Sequence, residues 1–318
     1  MDNNCEALRE LNISNLSLIG GSSGGRVFFI DTDRVIKEYP NEDNPDSVKS
    51  IQRSMNYLYD IGIPIAKAYE VVKTENGYGI IEENIHGQSV GEIISSNPAK
   101  IAEYGEKMGI LFKTLHKTSC SEGTIINIKD RLFSQIDRME EIGYFNKTDC
   151  EYATKLLNAI PDDNKVIHYD FHEGNVIERN SEPVLIDTDF VCCGSPLFDL
   201  AFLCMNHVLI QFTPRLCKKA LGMKPKYALR MYRYTLYGYL GCNDKSKMSK
   251  LVTGILPILF LLVALNMIRF EKSDLVNSSK IMKFFMKRAV FFTMLGVKRT
   301  LKKNANPFDD VQKLITTV

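Results

Sequence analysis

The sequence predicts an α+β fold of two lobes, β-rich at the N-terminus and mainly helical at the C-terminus, and three observations carry the prediction. Apolar residues alternate over short segments up to about residue 84 and recur at helical spacing beyond it. Gly-rich and Asn-Gly turns punctuate only the first part. The 318 residues are 45% hydrophobic with no low-complexity segment, enough to bury a good core. The expected lobes are residues 1–84 and 85–318.

In the first lobe, Leu16 to Ile30 is an apolar alternation broken by Gly20, Gly21, Gly24 and Gly25, which reads as strand, flexible turn, strand. Glycines let backbone N–H groups approach phosphate oxygens, and Ser22 and Ser23 could add hydroxyl donors; a plain hairpin would have the same composition. Arg34 to Tyr39 is a third strand with one inward lysine, Lys37. A helix follows, with Asn44 as N-cap, Pro45 at its first position, Val48, Ile51, Met55 and Leu58 as an apolar stripe, and Gly62 as its stop. Tyr69–Lys73 and Tyr78–Ile81 pair across Asn76-Gly77. Beyond Glu82-Glu83-Asn84-Ile85 helices begin. One runs from Asn97-Pro98 to Leu115-His116-Lys117, where His116 and Lys117 suit the negative end of the helix dipole. Another opens at a capping box, Thr148 to Glu151.

Residues 168–190 carry the chemistry: His168-Tyr-Asp170-Phe-His172-Glu-Gly-Asn175, then Leu-Ile-Asp187-Thr-Asp189-Phe. Asp170, Asn175 and Asp187 lie on a tight loop and a short hairpin. Transfer of a γ-phosphoryl group needs such a kit: a carboxylate to take the proton of the acceptor hydroxyl, and oxygen ligands to hold Mg²⁺ against the phosphates. Asp189, two residues beyond Asp187, is expected on the opposite face of an extended strand and ranks below it as a ligand. His168 is expected to brace the loop through hydrogen bonds.

H-x-D-x-H-x-G-N followed by I-D resembles the catalytic segment of the aminoglycoside phosphotransferase and choline kinase family, small-molecule kinases with a protein-kinase-like fold. The resemblance covers roughly residues 16–205. It implies a nucleotide-binding N-terminal lobe and a catalytic, acceptor-binding helical lobe. Asp170 would be the catalytic base. Asn175 and Asp187 would hold Mg²⁺, and ATP or GTP would be the co-substrate. Lys37 falls where the V-A-I-K lysine contacts the α- and β-phosphates. Gly21, Ser22, Ser23, Gly24 and Gly25 would cover the phosphates, and the backbone of Glu83 and Ile85 would meet the adenine, although a charged, solvated linker accounts equally for Glu82 and Glu83. His172, where protein kinases carry Lys, points to a small-molecule hydroxyl acceptor. Gly194-Ser-Pro-Leu-Phe-Asp199-Leu-Ala resembles G-D-P-x-x-D-L-A, which gives Asp199 a supporting role, with Ser195 in place of the first Asp. The family's helix Glu, partner of the strand lysine, is missing: Ser47 to Tyr59 holds no acidic residue. Another carboxylate must orient Lys37, or the protein is a catalytically weak nucleotide-binding module.

The net charge of +2 conceals an asymmetry: residues 1–213 carry 19 Lys and Arg against 33 Asp and Glu, whereas 214–303 carry 20 against 3. Within the basic third, Leu251–Ile268 is apolar apart from Thr253 and Asn266, and is expected as a buried helix because Pro257 interrupts it and a span needs about 20 apolar residues. Met282, Met286, Ala289 and Val297 would share a face of the next helix, opposite Lys280, Lys287, Lys298 and Lys302. That face is a solvated surface or a weak contact for an anionic membrane surface, which makes a membrane-surface interaction protein the other functional class. No aromatic-basic motif of a nucleic-acid reader is present, so nucleic acid is not an expected partner. Tyr232, Tyr234, Tyr237 and Tyr239 do not share one helical face, which favours packing over a cage for a quaternary amine. Eight cysteines without C-x-x-C spacing, and a start without a charged-then-apolar leader, lead us to expect a cytoplasmic protein.

Overall fold

A computed structural model describes residues 8–22, 25–121, 123, 125–209, 214–267, 280–304 and 307–317. The chain divides into two compact units, Met1–Ser89 with Asn175–Asp189, and Val90–Gly174 with Phe190–Val318.

The first unit is built on an antiparallel sheet of β1 (Ser17–Ser22), β2 (Gly25–Phe29), β3 (Arg34–Pro40), β4 (Ala68–Lys73) and β5 (Gly77–Glu83), in the order β1-β2-β3-β5-β4. Phe28, Ile36, Val72 and Ile81 pack with Ile13 on one face. Strand alternation sends Val35, Lys37 and Tyr39 to the other, where Lys37 lies opposite Ile80 of β5. Glu38 returns to the apolar side, fully buried. Its carboxylate is held by Arg26 at 2.5 Å, Thr74 Oγ1 at 2.8 Å and Asn76 Nδ2 at 3.2 Å. The helix α1 (Pro45–Asp60) is capped as its sequence requires: Asn44 accepts from the Asp46 N–H, and Gly62 follows with φ +87°.

A second hairpin completes this unit. The strands β7 (Val176–Arg179) and β8 (Glu182–Leu185) are joined through Asn180 and Ser181, both at positive φ, the conformation of a two-residue hairpin turn. Leu185 N–H donates to Pro64 C=O (2.7 Å) and Glu178 N–H to Gln88 C=O (3.0 Å), while Val184 packs on Ala66 and Ile85.

The second unit holds α2 (Val90–Ser96), α3 (Ile101–Lys117), α4 (Ile128–Glu141), α5 (Lys147–Ala159), α6 (Pro196–Cys204), α7 (Pro214–Leu221), α8 (Pro225–Leu240), α9 (Lys245–Asn266), α10 (Lys280–Lys303) and α11 (Asp309–Thr316), with β6 (Lys165–Ile167) paired to β9 (Cys192–Gly194). Backbone contact between α3 and α8 needs glycine: a Cβ on Gly109 would lie 2.2 Å from the Thr235 carbonyl oxygen. By length and apolarity α9 could cross a membrane, but it packs against α6 and α10 with Leu251, Ile255, Ile258, Leu261 and Leu262 fully buried. Ile268 lies outside the described residues.

Two details depart from expectation. The capping box of α5 is formed by Asn146 and Asp149, not Thr148 and Glu151, since Asn accepts as well as Thr and Lys147 and Thr148 join the first turn. The buried stripe of α10 is Met286, Val290, Met294, Val297 and Leu301, and Ala289 is exposed. The side chains of Lys280 and Met282 lie outside the described residues. Two of the basic residues are engaged within the unit: Lys298 pairs with Asp149 at 2.6 Å, and Lys287 lies over the Tyr144 ring. Tyr232, Tyr237 and Tyr239 are buried, as packing residues.

Glu38→Ala is expected to destabilise the protein by about 1–3 kcal/mol, because the buried Thr74 hydroxyl and the more exposed Arg26 and Asn76 lose a shared charged acceptor. Urea denaturation measures it, and a loss below about 0.5 kcal/mol, the size of an ordinary surface change, would contradict the assignment.

Candidate functional site

In the first unit the strand alternation of β3 places Lys37 on the face away from the apolar core, and the chain leaving β8 delivers two carboxylates to it. Lys37 Nζ lies 2.6 Å from Asp187 Oδ1 and 2.8 Å from Asp189 Oδ2. Tyr39, two residues along β3 and so on the same face, donates its hydroxyl to Asp189 Oδ1 at 2.9 Å. Burial works to lower the pKa of Lys37, but Asp189 and Asp187 outweigh it and hold the ammonium above its usual range. Burial pushes the Asp189 carboxyl up against the pull of Lys37, with the charge of Asp187 adding to the rise.

The carboxylate that the missing helix Glu left open is thus supplied by Asp189 together with Asp187. Asp189 does not point away from Asp187. Residues two apart in an extended strand share a face, and β8 has in any case ended at Leu185, with Asp187 in the left-handed region at φ +58°.

The glycine turn lies directly over Lys37. β1 and β2 pair down to Ser22 opposite Gly25, and a Cβ on Gly25 would meet Lys37 Cε at 3.2 Å. Gly21 has φ +133° and a Cβ there would lie 2.5 Å from the Gly25 oxygen, so that position needs glycine, whereas at Gly25 a Cβ would be a tight fit against Lys37 and the Glu38 carbonyl. Ser23 and Gly24 lie outside the described residues.

Neither Glu82 nor Glu83 behaves as a solvated linker residue. Glu83 is held by Arg179 at 2.7 Å, and its backbone N–H already donates to Lys67 C=O at 2.8 Å, which commits that amide to the sheet edge. Ile85 is buried against Ala66 and Val184. Burial pushes the half-buried Glu82 carboxyl up to about 7, with Lys37 pulling against it and Asp189 and Asp187 adding to it.

Asn175 is buried and immediately precedes β7; its carbonyl accepts from Ile186 N–H at 3.0 Å, which sets it across the hairpin from the residue before Asp187. The two carboxylates are hard oxygen donors, and one ammonium leaves the two Asp with net negative charge. That chemistry fits Mg²⁺.

In the second unit the segment from β6 to Gly174 carries Asp170, half-buried. Its entry is fixed by Asp199 in the first turn of α6, whose carboxylate accepts the backbone N–H groups of His168 and Tyr169 at 2.6 Å each. Tyr169 is held at φ +59°, an unfavourable conformation for a bulky residue, directly before Asp170. The contact of His168 with Asp199 runs through its backbone; its ring packs edge-on to Phe171, which stacks on Phe112 at 4.3 Å. His172 Nδ1 accepts from the Gly174 N–H (3.0 Å), closing the loop on itself.

His116 is not simply a helix-end cation. It is buried at the end of α3, with Nε2 3.1 Å from Asp199 and Nδ1 3.0 Å from the Tyr239 hydroxyl, so it orients the carboxylate that anchors the loop. Sequence reasoning also passed over Tyr39, whose two-residue offset from Lys37 was the available signal.

The model of the phosphotransferase enzyme family matches residues 15–222. The chain belongs to that family. Solved structures agree in fold. An amicoumacin kinase in complex with AMP-PNP, Ca²⁺ and Ami is 15% identical, with a TM-score of 0.63 over 96% of this chain and 94% of that one. A choline/ethanolamine kinase family protein from Mesorhizobium loti is 16% identical, with a TM-score of 0.53 over 95% and 91%. Aminoglycoside phosphotransferase APH(4)-Ia, as a thermostable mutant in apo form, is 13% identical, with a TM-score of 0.53 over 89% and 94%. No curated protein matches the sequence. This phosphotransferase therefore has the protein-kinase-like fold expected of it.

The phosphotransferase should show a pH signature of Glu82 in metal-free solution. Its folded pKa of about 7 exceeds the ordinary 4.5, so its contribution to stability is full below about 4.5 and is lost as pH rises through about 7, by up to about 3 kcal/mol. Urea midpoints of wild type and Glu82→Gln from pH 4.5 to 8 should diverge, the variant gaining relative stability as pH rises. Parallel curves would remove the assignment.

Proposed function

We propose that this phosphotransferase moves the γ-phosphoryl group of ATP or GTP to a hydroxyl of a small molecule. The observation that carries the reading is the buried Lys37 ammonium held by Asp187 and Asp189 beneath a glycine turn. A fixed cation under close-approaching backbone suits the α- and β-phosphates. Surplus carboxylate charge suits a divalent cation, held by Asp187 and Asn175. Mg²⁺, when bound, would neutralise charge on the β- and γ-phosphate oxygens. The backbone from Gly21 to Gly25 covers the phosphates in this reading, and Ile85 and the Glu83 carbonyl side of the strand end take the adenine.

Asp170 receives the proton of the acceptor hydroxyl as that oxygen bonds to the γ-phosphorus, while the bond from the γ-phosphorus to the β,γ-bridging oxygen breaks and the nucleoside diphosphate leaves with its electron pair. The loop that carries Asp170 is held by the N–H groups of His168 and Tyr169 on Asp199 and by the His172 brace. The nucleotide agrees with the AMP-PNP held by the amicoumacin kinase of the same fold. The absent helix Glu no longer argues for a weak module, because Lys37 has carboxylate partners. We place the reaction in the cytoplasm.

Asp170→Asn is expected to lower turnover by about 10²–10⁴ with nucleotide affinity nearly unchanged, the usual scale for a general base. A nucleotide-consumption screen over aminoglycosides, amino alcohols, nucleosides and sugars supplies the acceptor; wild-type turnover in the mutant would overturn the role. Asp187→Ala should fold, since Asp189 still pairs with Lys37, but should lose the Mg²⁺-dependent part of nucleotide binding in calorimetry. Unchanged Mg²⁺ dependence would remove Asp187 from the metal site.

A further inference from the structure

Asp199 anchors only the entry of the catalytic loop, and the structure holds a second anchor at its exit. Glu173, three residues after Asp170, opens the 3₁₀ turn Glu173–Asn175 with its side chain fully buried, and Oε1 lies 2.6 Å from Nε2 of His207. His207 is itself fully buried, on a π-helical turn, Met205–Leu209, that continues α6. Its Nδ1 lies 2.8 Å from the Leu203 carbonyl oxygen. A carbonyl only accepts, so Nδ1 carries a hydrogen, and one further proton must lie between Nε2 and Glu173. The ring of Tyr232 from α8 stacks on the imidazole at 5.8 Å.

A buried ionic pair is a poor source of stability, since two apolar residues of similar size would serve as well or better. What it supplies is direction and a defined distance. π-turns inside helices commonly mark functional positions. Here the turn lies two helical turns beyond Asp199, so a single helix grips residues 168–169 with one side chain and residue 173 with another. Asp170 lies between the grips.

We propose that Glu173 and His207 form the second anchor of the catalytic loop and are positioning residues for phosphoryl transfer to the acceptor, an inference that rests on the function proposed above. Without the pair the loop would lose its side-chain hold at Glu173, and the stretch that carries Asp170 between the two grips would loosen.

The test uses the 318-residue chain and a double variant, Glu173→Leu with His207→Phe, which removes both members of the pair together, leaving neither Glu173 nor His207 buried without the other. Hydrogen exchange needs no acceptor: amides of residues 168–174 should exchange about tenfold faster than in wild type, with the melting temperature and the amides of α3 nearly unchanged. Glu173→Gln, which keeps a hydrogen-bonding partner for Nε2, should restore most of the protection. With an acceptor from the screen, the double variant should lose about 10- to 100-fold in kcat, the scale of a misplaced reacting group, with KM for nucleotide within about threefold. Glu173→Gln should recover kcat in parallel. Unchanged exchange, or unchanged kcat in a folded double variant, overturns the proposal. Should the double variant not fold, His207→Gln, which shortens the reach but keeps a polar group, takes its place: faster exchange with lowered kcat supports the anchor, and no change in either overturns it. A wild type that turns over no nucleotide would sink the phosphoryl-transfer reading and with it the catalytic role, while exchange would still decide the anchor by itself.

Discussion

The ammonium of Lys37 between Asp187 and Asp189 is the interaction on which the first unit's chemistry depends. A lysine this deeply buried loses its hydration and stays charged only because two carboxylates replace the water. Those carboxylates come from a hairpin 150 residues later in sequence, so the hairpin must be fastened to the sheet before the lysine can be. Its backbone bonds to Pro64 and Gln88 and the packing of Val184 do that. Burial raises the carboxyls of Asp189 and Glu82, and the neighbouring carboxylates add to the rise. Binding of a cation would relieve it.

The second unit solves a different problem with the same economy of charge. The loop carrying Asp170 includes Tyr169 at positive φ, a conformation the chain adopts only under constraint. Asp199 supplies that constraint through two short bonds to backbone N–H groups, and His116 and Tyr239 fix Asp199 in turn. The helix that carries Asp199 is wholly buried and lies against α9, the most apolar long helix of the described residues. A hydrophobic core thus fixes a polar network, and the network fixes the loop.

Much of this was legible in the sequence because it is local. Strand alternation, the Asn44 cap, Gly62 and the H-x-D-x-H-x-G-N spacing all act within a few residues, and the strand and the capped helix they predict are present. What was not legible depends on distant partners. Nothing near His116 says that Asp199 and Tyr239 will surround it, and nothing near Glu173 points to His207. The placement of Asp189 failed for a local reason: the chain turns out of the strand at Leu185, and even a continued strand would have put Asp187 and Asp189 on one face. The cap of α5 failed because Asn146 and Thr148 offer the same chemistry two residues apart.

A double-mutant cycle on stability tests the central interaction most directly. Lys37→Met, Asp189→Asn and the double variant, compared by urea denaturation without metal, isolate the coupling of the ammonium to the carboxylate. A coupling of about 1–3 kcal/mol is expected, with the double variant less destabilised than the sum of the two single changes. Additivity to within about 0.5 kcal/mol would contradict it, and would leave Lys37 as a buried cation held by something else.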